Sequence, residues 1–380
     1  MALIHSPRIV TDGLVFYYDM QNTKKSWRGK PTTNLQVNPS LASGSTNYGQ
    51  YGPFPPTIVE IDSVPTTPGN SRNVLQVRCS TTDWGQCFYW IAPSLSAGTT
   101  YTISYYARTL ENGNISVWFS NQNGSGDQNN LSHGQTITPT WQRFSHTATL
   151  DIAKNIVYVW GTNGATWQIA DIQIEANNFA TGFVQGTRSN TQAVVDLTGQ
   201  NIITAQSLVY NTDGTFSFNG SQYLSIPDNA LIKPSSGYIT TEIWFKATAT
   251  GSQNGSILIN KENEYEISAG GGYITYAFRP NWAWVGATAF NTNQNYCVTI
   301  TYDQVNQKMY LNGLEIYSAS LTGAIGNVYS DTLKIGARGG ASSTYDYFTG
   351  NIYNVKIYNR ALSANEVTQN FAAQRGVYGL

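Results

Sequence analysis

The chain has 380 residues, longer than one compact domain usually runs, so two domains are expected. Aromatic side chains make up 13% and charged ones only 11%; an average soluble protein carries ~25% charged residues, so the polar surface here is built from Asn, Gln, Ser, Thr and Gly. A net charge of −1, with no run of Lys or Arg, excludes the electrostatic footprint of a nucleic-acid binder.

The opening "MALIHSPRIVTDG" has no apolar core of signal-peptide length, and no later segment approaches a membrane span. A protein free in solution and not exported by the usual route is expected. Cys79 and Cys87 flank "STTDWGQ" and can face each other across a hairpin, but two reduced, partly buried thiols are the expected state.

Turn signals are dense and apolar runs short. "YTISYYARTL" places Tyr101, Ile103, Tyr105 and Ala107 on one face, and "ENGN" turns the chain into "ISVWFS". "NIVYVWG" repeats the alternation with Ile156, Tyr158 and Trp160. "YCVTITYDQVNQKMYLNGLEIYSA" reads as three strands with Asn312 and Gly313 at a tight hairpin turn. Many short, evenly spaced strands mean sandwiches or barrels.

The ending differs. In "FTGNIYNVKIYNRALSANEVTQNF", Tyr353, Val355 and Ile357 alternate, with Asn354 and Lys356 on the opposite face. Ser363 and Glu366 then form a capping box, and Val367 and Phe371 lie four apart, as one face of a helix requires. Composition also shifts along the chain. The stretch from about Pro31 to Thr187 carries most of the Trp and Pro, and "GTRSNTQ" near Gly186 reads as a connector.

In the second half, "GTFSFNGSQYLSIPDN", "YITTEIWFKA", "ILINKENEYEIS", "CVTITYDQVNQKMYLNGLEIYSA", "LKIGARGG" and "FTGNIYNVKIYNRALSANEV" follow the order they have in laminin-G-like, concanavalin A-type jelly rolls. The segment from about Thr215 to Val367 resembles that family, in which a short helix caps the sandwich after its last strand. "GLVFYYDMQNTKKSW" is similar to the opening strand of the same domains, which normally runs within a few residues into a "DLSG"-like turn. Here the matching "VVDLTGQN" begins only at Val194, so the sequence between looks like an insertion. It ends in "IADIQIEANNFATGFVQGTRS", which is similar to the closing strand of carbohydrate-binding, galactose-binding-like jelly rolls found in phage virion proteins.

The resemblance implies an all-β fold of two antiparallel jelly-roll sandwiches, one inserted in the other, with a short C-terminal helix. Residues 1–29 and 188–380 would form the laminin-G-like sandwich, and residues 30–187 the inserted module. Leu14 to Met20 should then pair beside Ile352 to Tyr358.

Three chemistries follow as expectations. "ENEYE" alternates Glu262, Glu264 and Glu266 on one strand face and resembles the E-x-D-x-E carboxylates of laminarinase-type glycosidases, with Glu264 in place of the Asp. At a turn, such a charge run is expected to be a wet edge, so no catalytic residue is assigned. No nucleophile elbow, metal-hydrolase or phosphate loop is present in the sequence, and His133 and His146 lie on separate segments.

Glycan binding is the favoured chemistry, since sugars combine flat apolar faces with rims of hydroxyls. Asp83, Trp84, Gln86 and Tyr89, then Trp118, supply aromatic and polar groups in the insert; Arg279, Asn281, Trp282 and Trp284 do so in the second sandwich. Trp90, Trp141, Trp160 and Trp244 are expected as core fillers. No cofactor is required, but Asp171 matches the carboxylate of calcium-binding closing strands in related modules, so a structural Ca²⁺ is considered there.

The leading expectation is a non-enzymatic virion protein of a tailed phage, a fibre or capsid-decoration subunit assembled in the host cytoplasm. Its partners would be glycans, other virion proteins and copies of itself, a trimer foremost, with no nucleic acid and no membrane. The alternatives are a secreted lectin-like module and a glycoside hydrolase.

Overall fold

The computed structural model describes residues 8–22, 25–37, 39, 48–49, 57–61, 73–79, 86–122, 127–150, 153–210, 216–233, 236–325, 329–340 and 343–380. At 48–49, 57–61, 86–94, 118–122, 127–132, 154–158 and 209–210 it describes the backbone alone. Among the described residues the chain is all-β apart from one C-terminal helix, and it divides into two compact units. One comprises Met1–Lys30, Asn190–Asn211 and Thr215–Leu380, and the other Pro31–Ser189 with Thr212–Gly214.

The first unit is a sandwich of an eight-stranded and a seven-stranded antiparallel sheet. Inward positions of both sheets close one core, including Phe16, Tyr18, Ile243, Phe245, Ile267, Tyr276, Val298 and Ile357. Leu14–Asp19 pairs antiparallel with Thr349–Tyr358, Phe16 opposite Ile357 and Tyr18 opposite Val355, as the sequence implies. The displaced "VVDLTGQN" lies beside this opening strand. Leu197 donates its N–H to the Tyr17 carbonyl at 2.7 Å, and Asp196 accepts the Tyr17 N–H at 2.9 Å. Asn312 and Gly313 turn the hairpin between Asn306–Leu311 and Leu314–Ser320 with φ of 50° and 79°, the left-handed pair such a turn demands.

The helix Ala364–Gln374 begins at the expected capping box of Ser363 and Glu366. It covers polar positions on the sheet's outer face. Lys356 and Glu242 are both fully buried and paired at 2.6 Å; Trp244 donates to Glu242 at 3.0 Å, and Asn370 of the helix donates to it at 2.9 Å. Phe371 stacks on Trp244 with ring centroids 5.5 Å apart, and Val367 is buried among Val10, Tyr310, Tyr358 and Leu362. The helix packs Val367 and Phe371 against the sheet, and Asn370 and Gln374 supply hydrogen bonds to the ion pair it encloses.

Two expectations are corrected. Tyr353 does not share the core face of Val355 and Ile357; it packs beside Trp244 and Tyr378, because a bulge opposite Trp244 and Phe245 shifts the alternation by one residue. Trp244 is fully buried, but under the helix rather than between the sheets.

The second unit holds two five-stranded antiparallel sheets and a two-stranded pair that joins Thr32–Thr33 to Thr187–Arg188. Its core contains Tyr101, Ile103, Tyr105 and Ala107, as expected, and is filled by the fully buried Trp167. Val159 belongs to this core, so Trp160 takes the opposite face and is only half-buried, which corrects its reading as core filler. Trp141 is also half-buried, under the Arg108 guanidinium at 5.0 Å. Cys79 is disulfide-bonded and buried, which corrects the expected free thiol, while Cys297 is a buried free thiol.

Candidate functional site

In the second unit, strand Lys154–Gly161 lies between Gln86–Leu95 and Ile115–Gln122, and the last pairs with the edge strand Asp127–Ile137. Ile115, Val117, Ile137 and Val159 face the core. The alternate residues Ser116, Gly134, Thr136 and Trp160 therefore share the outer face. A cavity of about 480 Å³ opens there, lined by these four with Gln135, Thr162 and Asn163 among others. The size is ordinary for a small-molecule site.

The groove is built on rigid elements. The Thr162 hydroxyl accepts the Ser116 N–H at 3.0 Å and donates to the Ser116 carbonyl at 3.2 Å, pinning the turn after Trp160 to the neighbouring strand. Trp160 supplies a large apolar surface, and Ser, Thr, Asn and Gln supply groups that both donate and accept. The lining combines one aromatic ring with hydroxyl and amide groups, a chemistry suited to a sugar ring.

Of the residues the sequence nominates in the insert, three have a described backbone. Gln86 and Trp118 occupy the register positions opposite Trp160 on its two neighbouring strands, and Tyr89 stands opposite Tyr158. Asp83 and Trp84 lie outside the described residues. Sequence reasoning read Trp160 itself as a core filler, although its direct opposition to Trp118 follows from pairing the two strands.

The nominated residues of the first unit turn to separate partners. Arg279 donates to the Tyr329 hydroxyl at 2.8 Å and lies over that ring at 4.9 Å. Trp284 lies beneath the Arg338 guanidinium at 5.3 Å. Asn281 is exposed and Trp282 half-buried, with Trp282 in the left-handed region at φ 46°, a costly conformation for a bulky side chain. Arg279 and Trp284 thus have different partners.

The three glutamates do not share one face. Asn263, at φ 60°, and the bond from the Glu264 N–H to the Lys261 carbonyl make this stretch a hairpin turn rather than strand. Glu262 accepts from Asn260 at 3.2 Å. Glu264 is fully buried and sits 3.5 Å from Lys261, which also meets Asp228 at 3.0 Å. Glu266 is buried against Arg338, whose other nitrogens donate to Asp346 at 2.8 Å and to the Asn254 carbonyl at 2.7 Å. Burial pushes the Glu264 and Glu266 carboxyls up to about 7 against the pull of Lys261 and Arg338. Glycoside hydrolysis needs two carboxyls flanking a substrate in an open cleft, and here two of the three are enclosed.

Asp171 is buried where the strand Thr166–Glu175 departs from regular pairing, with φ 53°. Among the described residues no three His, Cys, Asp or Glu side chains gather as a metal site. His133 and His146, on separate segments, are brought together with ring centroids 4.3 Å apart.

Residues 218–368 match the family profile described as the concanavalin A-like lectin/glucanases superfamily. No curated protein matches the chain. Among solved structures, it is similar to the receptor-binding domain of botulinum neurotoxin C/D mosaic serotype, with 20% identity over 49% of this chain and 50% of that one and a TM-score of 0.38. It is also similar to the binding domain of Paraclostridial Mosquitocidal Protein 1, with 18% identity over 47% and 49% and a TM-score of 0.36. The chain spans about half the length of these structures. Residues 218–368 are thus similar to a family whose name covers lectins and glucanases alike.

Proposed function

We propose that this protein is a non-enzymatic glycan-binding protein, and that it serves as an adhesive subunit of a tailed-phage particle, present in several copies, a trimer foremost. The observation that carries the reading is the groove at Trp160, an aromatic floor with a hydroxyl and amide rim and no carboxylate among its described lining residues. The enclosure of Glu264 and Glu266 supports binding over hydrolysis, and the lectin half of the family name agrees. The resemblance of the insert's closing strand to phage virion modules supports the setting.

A shallow groove buries little of a polysaccharide, so each site binds weakly. Linking sites raises avidity by ~10² to 10⁴ where geometry lets them engage together, which favours display in many copies. One observation favours the alternative of a secreted lectin-like module: Cys79 is disulfide-bonded, and disulfides persist in oxidising surroundings. A glycan array read beside a reducing-sugar assay tests the reading. Retention of a polysaccharide with no sugar released is expected; release that is lost in Glu262→Gln or Glu266→Gln would make the protein a hydrolase.

A further inference from the structure

We infer that the Trp160 groove selects an uncharged sugar chain and holds it without any ionic contact, an inference that rests on the glycan-binding reading above. The described lining offers Ser116, Gln135, Thr136, Thr162 and Asn163 around Trp160, and its remaining members are Val and Gly. None of these ionises. Hydroxyl and amide groups both donate and accept hydrogen bonds, which matches sugar hydroxyls, since they do the same.

An acidic sugar poses a different problem. A carboxylate or sulfate accepts only, and shedding its water is costly unless Arg, Lys or a helix N-terminus replaces it. Three of the unit's described arginines lie on the opposite sheet, Arg78 on the strand Val74–Arg78 among them. Arg108 and Arg143 belong to the opposite sheet, where Arg108 donates to Gln168 at 2.8 Å and Arg143 to Ser104 at 3.0 Å. Glu111 accepts the Thr166 N–H at 2.7 Å. Among the described residues the groove therefore offers no cation to meet an anion, whereas a neutral ring exchanges water for hydroxyl and amide partners.

The floor also sets the ligand's extent. It crosses three neighbouring strands spaced ~4.8 Å apart, about 10 Å in all. That span suits a short stretch of an extended chain lying across the strands, with one ring over Trp160 and its neighbours against Ser116 and Thr136.

The test uses the full chain on immobilised dextran, mannan and galactan against polygalacturonate, polysialic acid and heparan sulfate, each at ionic strengths from 0.05 to 0.5 M. Retention on at least one neutral polysaccharide, changing less than twofold over that range and lost in both Trp160→Ala and Thr136→Tyr, is the expected result. Thr136→Tyr fills the groove with a residue that strands favour, so its loss of binding does not depend on unfolding. Retention on the acidic polymers alone, falling steeply with salt as screening predicts, overturns the inference while leaving the glycan reading intact. Retention on none of the six overturns both.

Discussion

Arg338 donates through Nε to the buried carboxylate of Glu266 and spends its other nitrogens on Asp346 and the Asn254 carbonyl. The guanidinium thus ties a buried strand position to the segment around Asp346 and closes the outer face of the sheet over Glu266. Removing it strands a buried charge. Arg338→Ala is expected to cost ~3–5 kcal/mol, the usual penalty for breaking a buried pair. Arg338→Ala with Glu266→Gln should recover part of that loss, since the buried carboxylate is then gone and only the part-exposed Asp346 lacks its partner. Urea unfolding of the two variants measures it; equal stability of single and double variants would contradict the pairing.

The second prediction concerns pH. Burial raises the Glu264 carboxyl from its ordinary 4.5 to about 7, with Lys261, Lys233 and Asp228 around it. A group whose folded pKa is raised takes up a proton on folding. Its contribution is fully present below pH ~4.5 and is lost as pH rises through about 7. Glu266, raised likewise, adds a slope of the same sign to wild type and variant alike. Glu264→Gln removes only its own part, so its stability relative to wild type should improve between pH 5 and pH 8. Parallel curves of urea midpoint against pH would contradict the shift.

The third concerns the helix. Lys356 donates to Glu242, to Asn354 at 3.0 Å and to Gln374 of the helix, so one ammonium joins two strands to their cover. Lys356→Met leaves Glu242 buried with neutral donors only, and a loss of ~3–5 kcal/mol is expected. Ser363→Ala removes half of the capping box and should cost only ~1 kcal/mol. If thermal unfolding ranks the two variants in the reverse order, the helix is not held by that ion pair.

Features set by local chemistry were readable in the sequence. The capping box at Ser363, the turn at Asn312 and Gly313, and the core face of Tyr101, Ile103, Tyr105 and Ala107 need only neighbours a few residues apart. The pairing of Leu14–Asp19 with Thr349–Tyr358 was readable by resemblance, because an opening strand stood far from the turn that normally follows it. The misreadings come from parity. In "NIVYVWG" either alternate set fits a half-buried strand, and only the packing of Val159 into the core sends Trp160 outward. One bulge does the same to Tyr353. At "ENEYE" the alternation was real in sequence but ran through a turn, which separates Glu264 from Glu266.

The central claim is that glycan binding resides in the groove whose floor is Trp160, a half-buried residue opposite Trp118 in the strand register. Isothermal titration of wild type and Trp160→Ala with the neutral polysaccharide retained on the array, beside their melting curves, tests it most directly. The account predicts at least a tenfold loss of affinity with a stability change below ~2 kcal/mol, as truncating a partly exposed aromatic allows. Unchanged affinity in a variant that folds as well as wild type would contradict it.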